Sequence, residues 1–296
     1  MLIDLLAGTV RPPAPMPVTR PTILLIDSGL GGLTVLREVA RARPDANVVY
    51  AADDAAFPYG DWSEGPLTTR VVAVVEGLLR QHRPDLVVIA CNTISTLVLP
   101  VLRSRFNVPF VGTVPAVKPA VALSRTGRIA VLATPGTVRR DYTRGLVAAY
   151  AGSCQVDLVG STRLAALAEA EFAGEPAPDS VIRAEIAPCF RDGEGRRTDV
   201  VVLACTHYPL LLERLRAVAP WPVTWIDPAP AIARRVTAIL GEAPPDASLS
   251  RQDGPSTMLL FTGPGNLTPA LRHALAARGL DETRTGIHPL AEPVPH

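Results

Sequence analysis

From Thr22 onward, apolar runs of four to seven residues alternate with stretches of helical period, and this alternation limits the fold more than any other feature of the chain. TILLIDS, NVVYAAD, DLVVIACN, PFVGTV, RIAVLAT, QVDLVG, DVVVLACT, VTWID and TMLLFTG are the strand candidates. Near-continuous apolar runs suit strands covered on both faces, so they predict parallel sheet wrapped by crossover helices. Residues 67 to 83 give one of the clearest helices, with Leu67, Val71, Val74, Val75, Leu78 and Leu79 on a common face. Residues 94 to 106, 136 to 151, 162 to 173, 208 to 218, 229 to 240 and 267 to 279 read similarly. The stretch RPPAPMPVTRP lacks any period, so residues 1 to 20 are expected to be a flexible Pro-rich tail.

Composition removes several classes of function. At 296 residues and 48% hydrophobic content, the chain can bury a core without disulfide or metal staples. The 29 Lys+Arg balance 28 Asp+Glu, leaving no basic field to gather a polyanion, so nucleic acid is not an expected partner. Lys118 is the single lysine and follows Val117, which excludes a Walker-type phosphate loop and leaves pyridoxal phosphate one possible anchor. Cys91, Cys154, Cys189 and Cys205 have no C-x-x-C spacing, and the histidines form no H-E-x-x-H set, so no metal site is expected. MLIDLLAGTV carries Asp4 and no basic leader, and no apolar run reaches the roughly 18 residues that span a bilayer. A cytoplasmic protein with reduced thiols is the expectation.

An internal echo points to the site. DLVVIACNT at 85 to 93 and DVVVLACTH at 199 to 207 share an acidic start, an apolar strand, Ala-Cys and a nearby hydroxyl residue. Ligands of open α/β sheets lie beyond the carboxyl ends of the strands, which puts Cys91 and Cys205 in a candidate cleft between two lobes. A thiol at a helix N-terminus tends to have a depressed pKa, because the helix end favours the thiolate. The alternative is that either Cys is a small buried hydrophobe.

IDSGLGGLTVL at 26 to 36, YAADDAAFPYG at 50 to 60, ACNT at 90 to 93, GTVPAVKPA at 112 to 120, LATPGTVRRDYT at 132 to 143, ACTHYPLL at 204 to 211 and IDPA at 226 to 229 occur in a recognisable order. Together they resemble the glutamate racemase family, from about Ile23 to Leu280. ACNT alone would also fit aspartate, hydantoin and related racemases. The resemblance implies cofactor-independent conversion of L- to D-glutamate for peptidoglycan, with Cys91 and Cys205 as catalytic residues. Inverting a Cα centre requires proton removal on one face and delivery on the other, a task for two thiols that hold one proton between them. By resemblance, Cys91 takes the proton from the D-isomer and Cys205 from the L-isomer.

The other site residues come partly from the family and partly from chemistry. By resemblance, Tyr59-Gly60, Asn92-Thr93 and Thr206-His207 contact substrate. Asp27, ending the first strand, suits the substrate ammonium or orients Cys91, and Ser28 with the N–H groups around Gly29 to Gly32 suits a carboxylate. The same IDSGLGGL does not complete a dinucleotide loop, since Thr34 stands where the third Gly belongs. Thr137, at another strand-to-helix turn, is a candidate for holding substrate. Asp53 matches a family acidic position, although Asp54 beside it departs from the common Thr. Ala204, where Gly is common, and Trp62, where Lys is common, also depart.

The expected architecture is two doubly wound parallel-sheet lobes related by pseudo-twofold symmetry, with the site in the cleft between them. Residues 21–115 form the first lobe, 116–221 the second, 222–282 return to the first, and 283–296 are a C-terminal tail. The resemblance admits a homodimer and, as in some family members, activation by a cell-wall precursor or contact with DNA gyrase. Three rivals remain at this level: a racemase of aspartate or hydantoin type, a cysteine hydrolase using His207 as base, and a non-catalytic regulatory protein on the same scaffold.

Overall fold

A computed structural model describes residues 20–193, 195–243, 255–263, 267–280 and 285–287. Most of the expected N-terminal tail and most of the expected C-terminal tail at 283–296 lie outside these residues.

The first sheet begins where the apolar pattern begins. β1 (Thr22–Asp27), β2 (Asn47–Ala52), β3 (Leu86–Ile89) and β4 (Phe110–Gly112) alternate with α1 (Leu33–Ala42), α2 (Glu64–His82) and α3 (Asn92–Arg105). The second sheet is built from β5 (Arg128–Ala133), β6 (Gln155–Gly160), β9 (Val200–Ala204) and β10 (Thr224–Ile226). Its helices are α4 (Val117–Leu123), α5 (Pro135–Arg139), α6 (Asp141–Tyr150), α7 (Leu164–Phe172), α8 (Asp179–Ile186) and α9 (Leu212–Val218). A small antiparallel pair, β7 (Asp192–Gly193) and β8 (Arg196–Arg197), precedes β9. The chain then returns through α10 (Ala229–Leu240), β11 (Thr257–Phe261), α11 (Pro269–Ala276) and β12 (Thr285–Ile287).

Both large sheets are parallel throughout, in the orders β12-β11-β2-β1-β3-β4 and β10-β9-β5-β6. Read from the other edge, the second sheet is β6-β5-β9-β10, the order of β2-β1-β3-β4, so the sequence echo is an echo of topology. The two-residue period of each strand divides its side chains between two cores. Ile23, Leu25, Leu86 and Val88 face α1, α10 and α11, while Leu24, Ile26, Val87 and Ile89 face α2 and α3. Ala130, Leu132, Val201 and Leu203 pack against α7, α8 and α9; Ile129, Val131, Val200 and Val202 pack against α4. Each fully buried Leu, Ile or Val is worth roughly 1.5–3 kcal/mol relative to exposure, which fixes strand register by making a one-residue slip expensive.

Several boundaries differ from the sequence expectations. VTWID does not open the return to the first lobe at 222, because β10 pairs parallel with β9. The link 219–223 is short, and a β9-α9-β10 crossover returns the strand beside its own sheet. The crossing therefore follows Ile226. The tail predicted at 283–296 contributes β12, which extends β11. The helix predicted over 136–151 is broken at Arg140, whose ψ of 135° is extended, and the Thr143 hydroxyl donates to the Thr137 carbonyl (2.7 Å) at the break. The helix predicted at 208–218 opens as a 3-10 turn over Tyr208–Leu211, with Pro209 near its start.

Candidate active site

In each sheet the chain leaves one strand to one side and later returns on the other, creating a switch point at the carboxyl ends. In the first sheet the switch lies between β1 and β3, which carry Asp27 and Cys91 at their ends. In the second it lies between β5 and β9, followed by Thr134 and Cys205. Register is matched as well: Ile26 pairs with Ile89, two residues before Cys91, and Leu132 with Leu203, two residues before Cys205. The two sulfurs therefore occupy equivalent places, and both cysteines are 6% exposed. They share one electrostatic environment, for the Cys205 sulfur acts on Cys91.

The surroundings of the two thiols differ. Cys91 is the N-cap of α3, and the Thr93 and Ile94 N–H groups favour its thiolate. The expected lowering of its pKa is nonetheless overturned. Burial, then the Asp27 carboxylate, then Cys205 push the Cys91 thiol far above its ordinary value. Cys205 is followed by a turn and the 3-10 segment rather than by an α-helix N-terminus, so the echo stops at the sulfur. Its neighbour is His207, with Nδ1 3.7 Å from the Cys205 sulfur.

His207 is 2% exposed, and its Nε2 lies 2.8 Å from Glu169 Oε1. Burial alone would lower its pKa, but the Cys205 sulfur and the Glu169 carboxylate outweigh burial and hold it well above the histidine range. Glu169 Oε1 also accepts the Leu30 N–H (2.8 Å), so a carboxylate from the second lobe is tied to the loop after β1. Sequence reasoning missed Glu169: it sits on α7 among alanines and one other glutamate, Glu171, where spacing alone gives no sign that it turns inward.

Asp27 is fully buried, and burial raises its pKa despite opposition from His207, the Thr206 hydroxyl and the Gly29 N–H. Thr206 Oγ1 donates to Asp27 Oδ2 (2.9 Å), a second link between the lobes, and the Gly29 N–H donates to Oδ1 (3.0 Å). Ser28 lies buried directly after Asp27. A Cβ on Gly31 would fall 2.6 Å from the His207 main-chain nitrogen, so only glycine allows this approach.

The hydroxyls of Thr93, Thr134 and Thr137 form a triangle with sides of 3.0, 3.1 and 3.4 Å, bridging α3 of one lobe and α5 of the other. This brings the candidate Thr137 to Thr93 and adds Thr134, which the sequence analysis did not select. Asn92 is 1% exposed, and neither side-chain polar atom has a hydrogen-bond partner in the protein. A buried amide left unpaired is destabilising by about 1–3 kcal/mol, and here it stands beside Cys91, where a bound polar group would restore the bonds. Tyr59 and Gly60 lie in a buried 3-10 turn, and the Tyr59 hydroxyl donates to Asp53 (2.6 Å). Main chain, rather than the phenol, is what that turn offers a ligand. Asp53 is thus gathered near the site but engaged with protein groups.

Two sheets of the same strand order thus each place a buried cysteine at a switch point. The model for the Asp/Glu/hydantoin racemases matches residues 23–236. The chain belongs to that family.

The racemase from Mesorhizobium japonicum, a glutamate racemase, is 54% identical over 246 residues, 83% of this chain and 92% of the relative. The glutamate racemase of Brucella canis is 53% identical over 232 residues, covering 78% and 84%. Among solved structures, Escherichia coli glutamate racemase in complex with L-glutamate and the activator UDP-MurNAc-Ala superimposes with a TM-score of 0.79 at 39% identity, covering 91% of this chain and 98% of that one. This racemase-family chain is accordingly an isomerase. No helix among the described residues is long and apolar enough to cross a membrane.

Proposed function

We propose that the protein interconverts L- and D-glutamate without a cofactor, with Cys91 and Cys205 as paired bases. The observation that carries this reading is the equivalent placement of the two sulfurs at the switch points of two sheets with the same strand order. The identity with curated glutamate racemases over most of both chains supports glutamate as substrate.

The chemistry follows from the neighbours of each sulfur. Cys91 beside Asp27 is held as the thiol, and a substrate ammonium placed between them supplies the positive charge that a thiolate there needs. For D-glutamate the one proton of the pair sits on Cys205, so the Cys91 thiolate takes the α-hydrogen while the Cys205 thiol delivers its proton to the opposite face. For L-glutamate the roles reverse, and the His207 imidazolium, steadied by Glu169, stabilises negative charge on the Cys205 sulfur. Asn92, Thr93, Ser28 and the main-chain N–H of Thr206, whose hydroxyl is given to Asp27, are the donors for the α-carboxylate, and the main chain of Tyr59–Gly60 receives the distal one. Thr137, with Thr93, secures the α3–α5 contact around the bound molecule. The D-glutamate produced supplies peptidoglycan synthesis in the cytoplasm.

Cys205, His207 and Glu169 also form the chain of contacts found in a cysteine hydrolase. A thiolate–imidazolium pair at Cys205 would serve that alternative, which is the weaker because it leaves Cys91 without a task. Purified protein incubated with L-glutamate in D₂O, with nothing added, is expected to yield D-glutamate carrying deuterium at Cα. Unchanged α-hydrogen and optical rotation would refute the proposal, and an acyl adduct on Cys205 by intact mass would favour the hydrolase.

A further inference from the structure

Asp53 follows β2 directly and is fully buried, yet it accepts hydrogen bonds from three separate elements. Tyr59 Oη donates at 2.6 Å from the substrate-facing turn. Arg70, on α2, donates through Nε at 2.7 Å and Nη2 at 2.6 Å in a two-point fork. Thr262, just past β11, donates at 2.7 Å. The Asp53 N–H donates to the Asp27 carbonyl (2.8 Å), joining the cluster to the floor of the site. Trp62 lies over the Arg70 guanidinium, 5.9 Å from ring centroid to Cζ.

We propose that the Asp53–Arg70 pair, roofed by Trp62, is a positioning device that sets the Tyr59–Gly60 turn and so the length of amino acid that the cleft accepts. This deepens the glutamate racemase reading and rests on it. A bidentate fork between a planar guanidinium and a carboxylate fixes direction as well as distance, which a lysine could not do. The turn it holds has little slack. A Cβ on Gly60 would lie 3.3 Å from Thr134 Cβ, and one on Gly136 would lie 3.3 Å from the Gly60 carbonyl oxygen. The first lobe thus meets the second main chain to main chain at this point. Glutamate and aspartate differ by one methylene, and a turn displaced by a few tenths of an ångström changes the room between its N–H groups and the thiols by a useful fraction of that difference. None of the three residues needs to touch substrate, because the Tyr59 hydroxyl is already engaged by Asp53.

The test uses the full-length enzyme and three substitutions. Tyr59→Phe removes one hydroxyl and leaves the ion pair intact, Arg70→Lys keeps charge without the fork, and Asp53→Asn keeps shape without charge. Tyr59→Phe and Arg70→Lys are expected to raise KM for L-glutamate about tenfold, the effect of losing a hydrogen bond to a charged group. The change in kcat should stay within about threefold, and the kcat/KM preference for glutamate over aspartate should shrink about tenfold. Asp53→Asn should do the same or more, and if it fails to fold, Tyr59→Phe still decides the matter. A folded Tyr59→Phe enzyme with wild-type KM and wild-type preference overturns the positioning role, as does a fall in kcat with preference unchanged. Wild-type enzyme that does not racemise glutamate overturns the underlying reading instead, so the two failures are distinguishable.

Discussion

The two halves of the site share a scaffold and differ in charge. Cys91 and Cys205 follow equivalent strands of two sheets with the same order, and each is nearly buried. Around Cys91 stand a helix N-terminus and the Asp27 carboxylate; around Cys205 stand the His207 imidazole and the Glu169 carboxylate that braces it. Repetition of topology supplies a buried cysteine at the switch point of each sheet. Local side chains then break the symmetry, and at Cys91 they favour the thiol. A two-base enzyme needs geometric equivalence but not equal protonation, since its resting form must hold one thiol and one thiolate.

This comparison can be broken most directly at the sulfurs. Cys91→Ser and Cys205→Ser should each lower racemisation by about 10³-fold, measured by polarimetry, because proton transfer on either face is indispensable. Full turnover in one of them would reduce the pair to a single working base. His207→Asn sharpens the contrast. Mirror-image substrates have equal free energy, so kcat/KM must fall equally in both directions, by an expected 10- to 100-fold. The asymmetry should emerge in the primary deuterium isotope effect, larger with α-deuterated L-glutamate and little changed with the D-isomer.

Glu169→Gln should lower kcat about tenfold, as expected for weakening a charge-assisted hydrogen bond. Because Glu169 helps raise the His207 pKa, its loss moves the imidazole titration to lower pH, observable by NMR. Protonated His207, and the activity that depends on it, should then disappear at a lower pH than in the wild type. A smaller effect concerns reactivity. Burial and Asp27 raise the Cys91 thiol, so its thiolate fraction is below that of a free cysteine at any given pH. Alkylation of Cys91 by iodoacetamide should keep accelerating beyond pH ~8.5, where a free thiol begins to level off. The smallest change is in stability: Asn92→Leu removes two unpartnered buried atoms and should stabilise the fold by about 1 kcal/mol in urea while weakening substrate binding.

Much of this site was legible before any coordinates. Cys91, Cys205, Asp27, Asn92, Thr93, Thr206 and His207 all abut strand ends, so recognising the strands brings them together. The lobe boundary at 222 failed because VTWID reads as a strand of either sheet, and its partner is decided by the reach of the preceding link. Glu169 and Arg70 were invisible because both lie on helices, where a charged residue normally faces solvent. Asp53 was visible as a position, but its engagement with Arg70, Tyr59 and Thr262 was not.

The amino-acid sequence alone determined the parallel strands, the duplicated lobe and the pair of sulfurs, since burial on two faces and repetition along the chain are local, additive patterns. Only the tertiary structure decided the electrostatics of each sulfur. Desolvation by the core, the Asp27 carboxylate and the Cys205 sulfur act through space, and together they reversed the effect that the helix end at Cys91 would have had by itself, while a carboxylate from a distant helix, Glu169, acts on His207.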